Sequence, residues 1–155
     1  MPSDDDVGPI PVYLPGRTAF RELLQETHEP GDPRQFRPVR AGRYLVSIQA
    51  SEYHASIPRA PVPPEDVEAW EVVVFTDGSD GVLPWPVSPR SHPHLFRDRR
   101  WRDRWYFAQP EDLEAPPFWS GHELPTRLVT DLLDCLVDPA AYADRLLRGP
   151  ISGPP

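Results

Sequence analysis

Three residues of this sequence could together perform hydrolysis: His54, Ser56 and Glu71. His54 and Ser56 lie just past one predicted strand, and Glu71 lies on the neighbouring one. An imidazole, a hydroxyl and a carboxylate are the groups of a nucleophilic hydrolase. No Gly-x-Ser-x-Gly nucleophile motif accompanies them. We favour the structural alternative, in which His54 and Ser56 bond the strand-end backbone while Arg59 pairs with Glu71 or Glu68.

Metal binding is the second chemistry to consider. His92 and His94 are separated by one proline, and Asp98 follows four positions later. The complete His-x-His-x-Asp-His pattern is not met, and the arginines around Asp98 would repel a cation. Cys135 is the single cysteine, so an internal disulfide and a cysteine-based zinc site are excluded. The sequence therefore predicts neither a metal ion nor a cofactor.

Binding of anions is the third chemistry, and a first arginine stretch spans residues 34 to 43. Prolines in and beside this stretch favour a polyproline II path, which has three residues per turn. Its four arginines are spaced three apart, so this path would place them on one side, where they could bind phosphate or carboxylate groups. We favour the alternative of a solvated approach to the first strand. The four residues are Arg34, Arg37, Arg40 and Arg43.

A second arginine stretch spans residues 90 to 104 and contains six Arg and two Asp within a chain of net charge −8. Trp101 and Trp105 alternate with these arginines, as in sites where guanidinium groups meet phosphates and rings stack on bases. In the alternative, Arg stacks on Trp and pairs with acids inside the chain. The candidate binding residues of the whole sequence are Arg34, Arg37, Arg40, Arg59, Arg97, Arg99, Arg100, Trp101, Arg102 and Arg104.

Four predicted strands should position these side chains. Residues 43–50 alternate in polarity, which is typical of a half-buried strand, and residues 69–76 are apolar on both faces apart from Glu71, which favours a central strand. Residues 82–87 and 104–109 complete the sheet. Prolines restrict residues 83–89 to an edge or to a loop with Trp85 turned inward. We expect residues 116–121 to form a loop whose aromatic side chains cover the core.

Three helices are predicted. Thr18 can cap a short helix from Ala19 to about His28. Leucines at helical spacing from Leu124 to Leu136 predict an amphipathic helix. A second C-terminal helix begins at Asp138-Pro139 and should turn Tyr142, Leu146 and Leu147 inward. The sequence thus predicts an α+β fold, with a small, mostly antiparallel sheet packed against a C-terminal helix pair.

The segment between the first two strands carries a short motif, His54-x-Ser56-x-Pro58-Arg59, and Trp70 later precedes Glu71-Val72. This order, within residues 44 to 75, resembles short phage and mobile-element proteins of unknown function, and the resemblance implies no assigned activity. All sixteen basic residues are Arg, which indicates a GC-rich genome, such as that of a bacterium, a phage or a plasmid. The absence of Lys excludes Walker-lysine and Schiff-base chemistry.

The length of 155 residues predicts one domain. We expect a disordered acidic lead-in over residues 1–11, the domain over residues 12–149 and a flexible tail over residues 150–155. The acidic start and the lack of a long apolar run predict a cytoplasmic protein without membrane contact.

We expect a non-enzymatic binding protein that acts on a macromolecular partner, in the first place another protein, with a regulatory or inhibitory role. A nucleic-acid-binding module using residues 90–105 and a small hydrolase centred on His54 are the alternatives. The separated charge of the chain can steer association with a charged partner. The oligomeric state stays open.

Overall fold

The computed structural model describes residues 8–27, 34–78, 83–108 and 118–148. A small two-stranded sheet pairs the first two strands. The remaining strands form an antiparallel five-stranded sheet, in which the third, fourth, fifth, seventh and sixth strands of the chain lie side by side in that order. The strands are β1 (Glu26–Thr27), β2 (Gln35–Phe36), β3 (Val39–Ala41), β4 (Tyr44–Gln49), β5 (Ala69–Thr76), β6 (Trp105–Ala108) and β7 (Phe118–Pro125).

The helices are two single turns and a C-terminal pair: α1 (Phe20–Leu23), α2 (Arg99–Arg102), α3 (Thr126–Val137) and α4 (Pro139–Arg148). Helix α3 contacts β3, β5 and β7, and its leucine face is buried, with Leu132 and Leu133 at 0% exposure. Asp138 accepts a hydrogen bond from the Ala141 amide and so caps α4. The predicted α+β class, a largely antiparallel sheet with a C-terminal helix pair, is confirmed.

Strand β5 is the middle strand of the sheet, as predicted, and β4 is one of its two neighbours. Val46 lies opposite Val74 and Ile48 lies opposite Val72, and all four side chains are buried. Trp70 continues this buried face of β5 and donates an indole hydrogen bond of 3.0 Å to the Thr126 hydroxyl. This bond links the central strand to the first residue of α3.

Gly42 forms the turn between β3 and β4. Its φ of +59° lies in the left-handed region that L side chains rarely adopt, and an added Cβ would lie 2.7 Å from the Leu136 carbonyl oxygen. The glycine therefore allows the end of α3 to pack directly on this hairpin.

The prediction of a loop over residues 116–121 was wrong. Residues 116 and 117 lie outside the described residues, but β7 begins at Phe118 and occupies the position between β5 and β6. A Cβ at Gly121 would lie 2.5 Å from the Trp105 ring, so the glycine makes room for that indole. The strand depends on pairing with distant segments, which local turn-forming residues do not reveal.

Residues 83–87 do not form the predicted third strand. They make an isolated bridge between Pro86 and Phe75, which agrees with the limits that proline places on ladder hydrogen bonds. Trp85 is 62% exposed, so it does not turn inward. Residue 82 lies outside the described residues.

The N-terminal helix is also shorter than predicted. It covers Phe20–Leu23 and is followed by β1, while residue 28 lies outside the described residues. Thr18 does not cap it, because the N-cap residue is Ala19 and the Thr18 hydroxyl has no partner. A single turn held by buried Phe20 is consistent with the small intrinsic stability of short helices.

In α4, Tyr142 turns inward as predicted, but Leu146 is 37% exposed and Leu147 is 85% exposed. The prediction for these two leucines was wrong. Helix α4 packs against α3, and Tyr142 is its buried residue.

The segment before α1 lies along the outer edge of β3. The Arg40 amide donates to the Pro11 carbonyl, and the Tyr13 amide donates to the Arg40 carbonyl, each at 2.8 Å. The Tyr13 hydroxyl donates to Asp134 of α3 at 2.6 Å. Residues 1–7 of the predicted lead-in and the predicted tail 150–155 lie outside the described residues. Within the described ranges, the helices fall short of the length and apolar character that crossing a membrane requires.

Candidate anion-binding groove

The predicted hydrolase residues are not brought into a catalytic arrangement. The nearest acceptors of the buried Ser56 hydroxyl are the backbone carbonyls of Pro58, Ser51 and His54, at 3.1 to 3.4 Å. The Nδ1 of His54 lies 2.7 Å from the Ser51 hydroxyl. Burial and the charge of Arg34 lower the pKa of His54. The Ser56 hydroxyl thus bonds backbone just past β4, as in the structural interpretation, whereas His54 bonds a side-chain hydroxyl. The predicted pairing of Arg59 with Glu71 or Glu68 was wrong, because its ion pair is with Glu123.

Glu71 lies beside a different imidazole, that of His122 on β7. Its Oε1 is 3.9 Å from His122 Nε2, and the same nitrogen lies 2.8 Å from the Ser120 hydroxyl. Burial raises the pKa of Glu71, although the Ala55 amide and Arg59 oppose that shift. A catalytic base needs one ring nitrogen for the nucleophile and the other for the acid. Because both groups approach Nε2, this set does not form a catalytic relay.

Asp98 is a capping and ion-pairing residue. Its carboxylate accepts from the Arg100 amide at the start of α2, at 3.0 Å, and from the Tyr142 hydroxyl at 2.6 Å.

The two histidines that were considered for metal binding, His92 and His94, have ring centroids 5.8 Å apart. In the ranges that the structure describes, His, Cys, Asp and Glu side chains do not gather into a set of three that could hold a metal ion.

The first arginine stretch does not follow a continuous polyproline II path, because β2 and β3 occupy half of it. Arg34 donates to the carbonyls of Ala50, at 2.6 Å, and Val62. Arg37 donates to Gln25 and to the Gly8 carbonyl. Arg40 pairs with Asp77 at 3.2 Å. These three guanidinium groups therefore hold different parts of the chain together and do not form one continuous strip.

The tryptophans of the second arginine stretch are not available for stacking on bases. Trp101 is fully buried and donates its indole N–H to the Leu95 carbonyl at 3.0 Å. Trp105 is 5% exposed and packs edge-on against Phe96 at 5.0 Å. The prediction that Trp101 stacks on bases was wrong, because both indoles belong to the core.

The remaining candidate arginines lie at the surface. Arg97 is exposed. Arg99 and Arg102 lie 3.8 and 3.7 Å from Asp103, and Arg59 lies 4.0 Å from Glu123. Solvent screening makes such exposed pairs weak, so these side chains can exchange partners.

Arg100 is the most firmly held arginine of the second stretch. Its Nη2 lies 2.8 Å from Asp98 and 2.9 Å from Asp131 of α3, and it also donates to the Tyr142 hydroxyl. The hydrogen bond to Asp98 raises the pKa of this guanidinium. Its side chain is nevertheless 54% exposed, so the group faces solvent while its orientation is fixed.

An open groove of about 330 Å³ lies beside Arg100. Arg104 and Arg127 line it, together with Pro125 and Leu128. Arg104 is fixed by a hydrogen bond of 2.7 Å to the Glu123 carbonyl. Arg127 is exposed and has no ion pair among the described residues. Three arginine side chains therefore line one concave surface together with two apolar residues.

The start of α3 adds to this positive potential. Pro125 precedes the helix and has no side-chain acceptor, and the first turn contains no acidic residue. The Thr126 amide donates to the Glu68 carbonyl, while the next amides have no acceptor within an α-helix. Pro125, Arg127 and Leu128 belong both to this helix start and to the groove, so the partial positive charge of the helix N-terminus lies beside the groove.

Arg127 was not among the predicted binding residues, although the sequence contains a signal for it. A cation in the first turn of a helix opposes the helix dipole and usually lowers stability. Arg127 follows Pro125 by two positions and lacks a neighbouring acid in that turn. Such a placement points to a role other than helix stability.

Comparison with protein-family models, curated proteins and solved structures gives no match to this chain. The resemblance of residues 44 to 75 to short phage and mobile-element proteins stays a prediction.

Proposed function

We propose that this chain is a non-enzymatic binding protein that recognises an acidic group on a macromolecular partner through the groove of Arg100, Arg104 and Arg127. The observation that supports the proposal best is that these three arginines, from two separate parts of the chain, line one concave surface. Planar guanidinium groups form paired hydrogen bonds with carboxylates and phosphates.

The groove is also organised before a ligand binds. Carboxylates hold Arg100 and a backbone carbonyl holds Arg104, so little side-chain freedom is lost on association. Arg127 supplies a charge that lacks an ion-pair partner among the described residues. Such a site can bind an anion without having to break strong internal contacts.

The partner that we propose is another protein. Nucleic acid fits less well, because Trp101 and Trp105 are buried and cannot stack on bases. A hydrolase centred on His54 is not favoured by any contact of that residue. We propose a regulatory or inhibitory role for a cytoplasmic protein that is encoded by a phage or mobile element of a bacterium with a GC-rich genome. The exclusive use of Arg as the basic residue supports that genome composition.

Fluorescence anisotropy with a labelled decamer of glutamate tests the proposal. The wild type should bind it with an affinity that falls as salt rises, because the contacts are ionic. Arg127→Ala should weaken binding by about tenfold, which corresponds to the loss of one charge-assisted contact.

Arg17→Ala is the matched control, because Arg17 is also exposed and the change in net charge is the same. It should leave the affinity within about twofold. Equal losses in both variants would show that net charge alone attracts the peptide, and the proposed site would be wrong. Labelled single-stranded DNA of ten nucleotides, bound tighter than the peptide and dependent on Arg127, would instead favour the nucleic-acid module.

A further inference from the structure

We propose that the ligand of the groove is a carboxylate next to an apolar side chain, as in an acidic peptide segment with neighbouring leucine-like residues. This inference rests on the proposed function, since it names the chemistry of the partner at the same site. The net charge of the groove favours a carboxylate over a phosphate, and its apolar residues favour an apolar side chain beside that carboxylate.

The charge of the groove is balanced by a monoanion. Arg100, Arg104 and Arg127 supply three positive charges, and Asp98 and Asp131, both bound to Arg100, supply two negative charges. One positive charge remains. A carboxylate carries a single negative charge, whereas a phosphate monoester carries about −1.5 to −2 at neutral pH.

A second negative charge on the ligand would be repelled by the carboxylate of Asp131. The Asp131 side chain is 28% exposed, and its carboxylate lies 2.9 Å from Nη2 of Arg100, a residue that lines the groove. A phosphate bound to Arg100 would approach this carboxylate and be repelled by it. Asp131 therefore acts against phosphate more strongly than against carboxylate.

The apolar part of the wall indicates what lies beside the carboxylate. Pro125 is exposed, and Leu128 below it is 6% exposed. An apolar side chain of the ligand would cover both and be removed from water with them. The volume of about 330 Å³ is near the lower limit of ligand sites, so a short peptide stretch fills it.

Four capped pentapeptides test this inference by competition against the labelled glutamate decamer. The reference has the sequence Gly-Leu-Glu-Leu-Gly. The second replaces Glu with Gln, the third replaces Glu with phosphoserine, and the fourth replaces both Leu with Ser.

We expect the Gln peptide and the Ser-flanked peptide each to compete about tenfold more weakly than the reference, by loss of the ionic and apolar contacts respectively. The phosphoserine peptide should compete no better than the reference. Arg127→Ala should remove the advantage of Glu over Gln, and Arg17→Ala should retain it.

Three results would overturn the inference. Tighter binding of the phosphoserine peptide than of the reference would make the groove a phosphate site. Equal competition by the reference and the Gln peptide would show that the groove does not recognise the negative charge. Competition by none of the four peptides would show that a single carboxylate with apolar neighbours is not recognised. In each case the decamer would still bind in an Arg127-dependent way if the proposed function holds, so the two failures can be told apart.

Discussion

Arg100 and Asp131 join α2 to α3 through a contact of 2.9 Å between Nη2 and Oδ2. The same guanidinium reaches Asp98 and the Tyr142 hydroxyl, so one side chain connects α2, α3 and α4. This network fixes one wall of the groove. Its integrity should therefore be measurable both in stability and in ligand binding.

Tyr142→Phe should lower the free energy of unfolding by about 2 kcal/mol, because a hydrogen bond to a buried carboxylate is lost. Urea denaturation followed by circular dichroism measures this change. Tyr53→Phe is the control, since its ring is 73% exposed and its loss should be below about 0.5 kcal/mol. Equal stabilities of the Tyr142 and Tyr53 variants would contradict the network.

The stability of the protein should depend on the ionisation of Asp98. Burial raises the pKa of Asp98, but hydrogen bonds from Arg100 and Tyr142 lower it more, so the pKa in the folded state is below its ordinary value of 3.8. The stabilisation is then complete above 3.8 and is lost as the pH falls through the folded-state pKa.

Asp98→Asn removes this titration and tests the sign directly. The wild type should be more stable than the variant near pH 6, and the difference should shrink as the pH falls from about 4 towards 2. Urea denaturation of both proteins at each pH gives the difference, and other titrating groups cancel in it. A difference that stays constant over this range would show that Asp98 is not held in its ionised form.

Arg34 should contribute to stability through its shape as well as its charge. Its guanidinium bridges the carbonyls of Ala50 and Val62, which a single ammonium group cannot reproduce. Arg34→Lys should therefore cost about 1–3 kcal/mol. Arg43→Lys, at an exposed position of the same stretch, should be nearly neutral. If thermal unfolding gave the same temperature for both variants, Arg34 would be a solvated charge after all.

Gly42→Ala should destabilise the protein by about 2–4 kcal/mol, because a positive φ and a close approach act together. Gly16 also has a positive φ, of +74°, but an added Cβ there meets nothing within 4 Å. Gly16→Ala should cost only about 1 kcal/mol. Similar losses in the two variants would contradict the packing of α3 on the β3–β4 hairpin.

The spacing of apolar residues along the sequence predicted those strands and helices whose pattern lies within a single element. The alternation of β4, the apolar run of β5 and the leucine spacing of α3 each depend on residues within one element. Strand β7 could not be predicted in this way, because Ser120 and Gly121 resemble a loop until β5 and β6 lie on either side. Its existence depends on contacts that are distant in sequence.

The candidate site shows the same limit. The second arginine stretch indicated Arg100 and Arg104, but the groove needs Arg127 from another part of the chain. Trp101 was expected at the surface because its sequence neighbours are charged, yet a single helical turn directs it into the core. The sequence shows which charged and aromatic residues a segment contains. Which of them face solvent depends on how the segment packs in the fold.

The most direct test of the account is to observe the arginine side chains themselves during binding. In a ¹⁵N-labelled sample, the Nε–Hε resonances of Arg104 and Arg127 should shift as the Gly-Leu-Glu-Leu-Gly peptide is added, because these groups form the proposed contacts. The resonance of Arg17 should stay in place. Shifts spread equally over exposed arginines, or confined to residues outside the groove, would contradict the central claim that the groove of Arg100, Arg104 and Arg127 is the binding site.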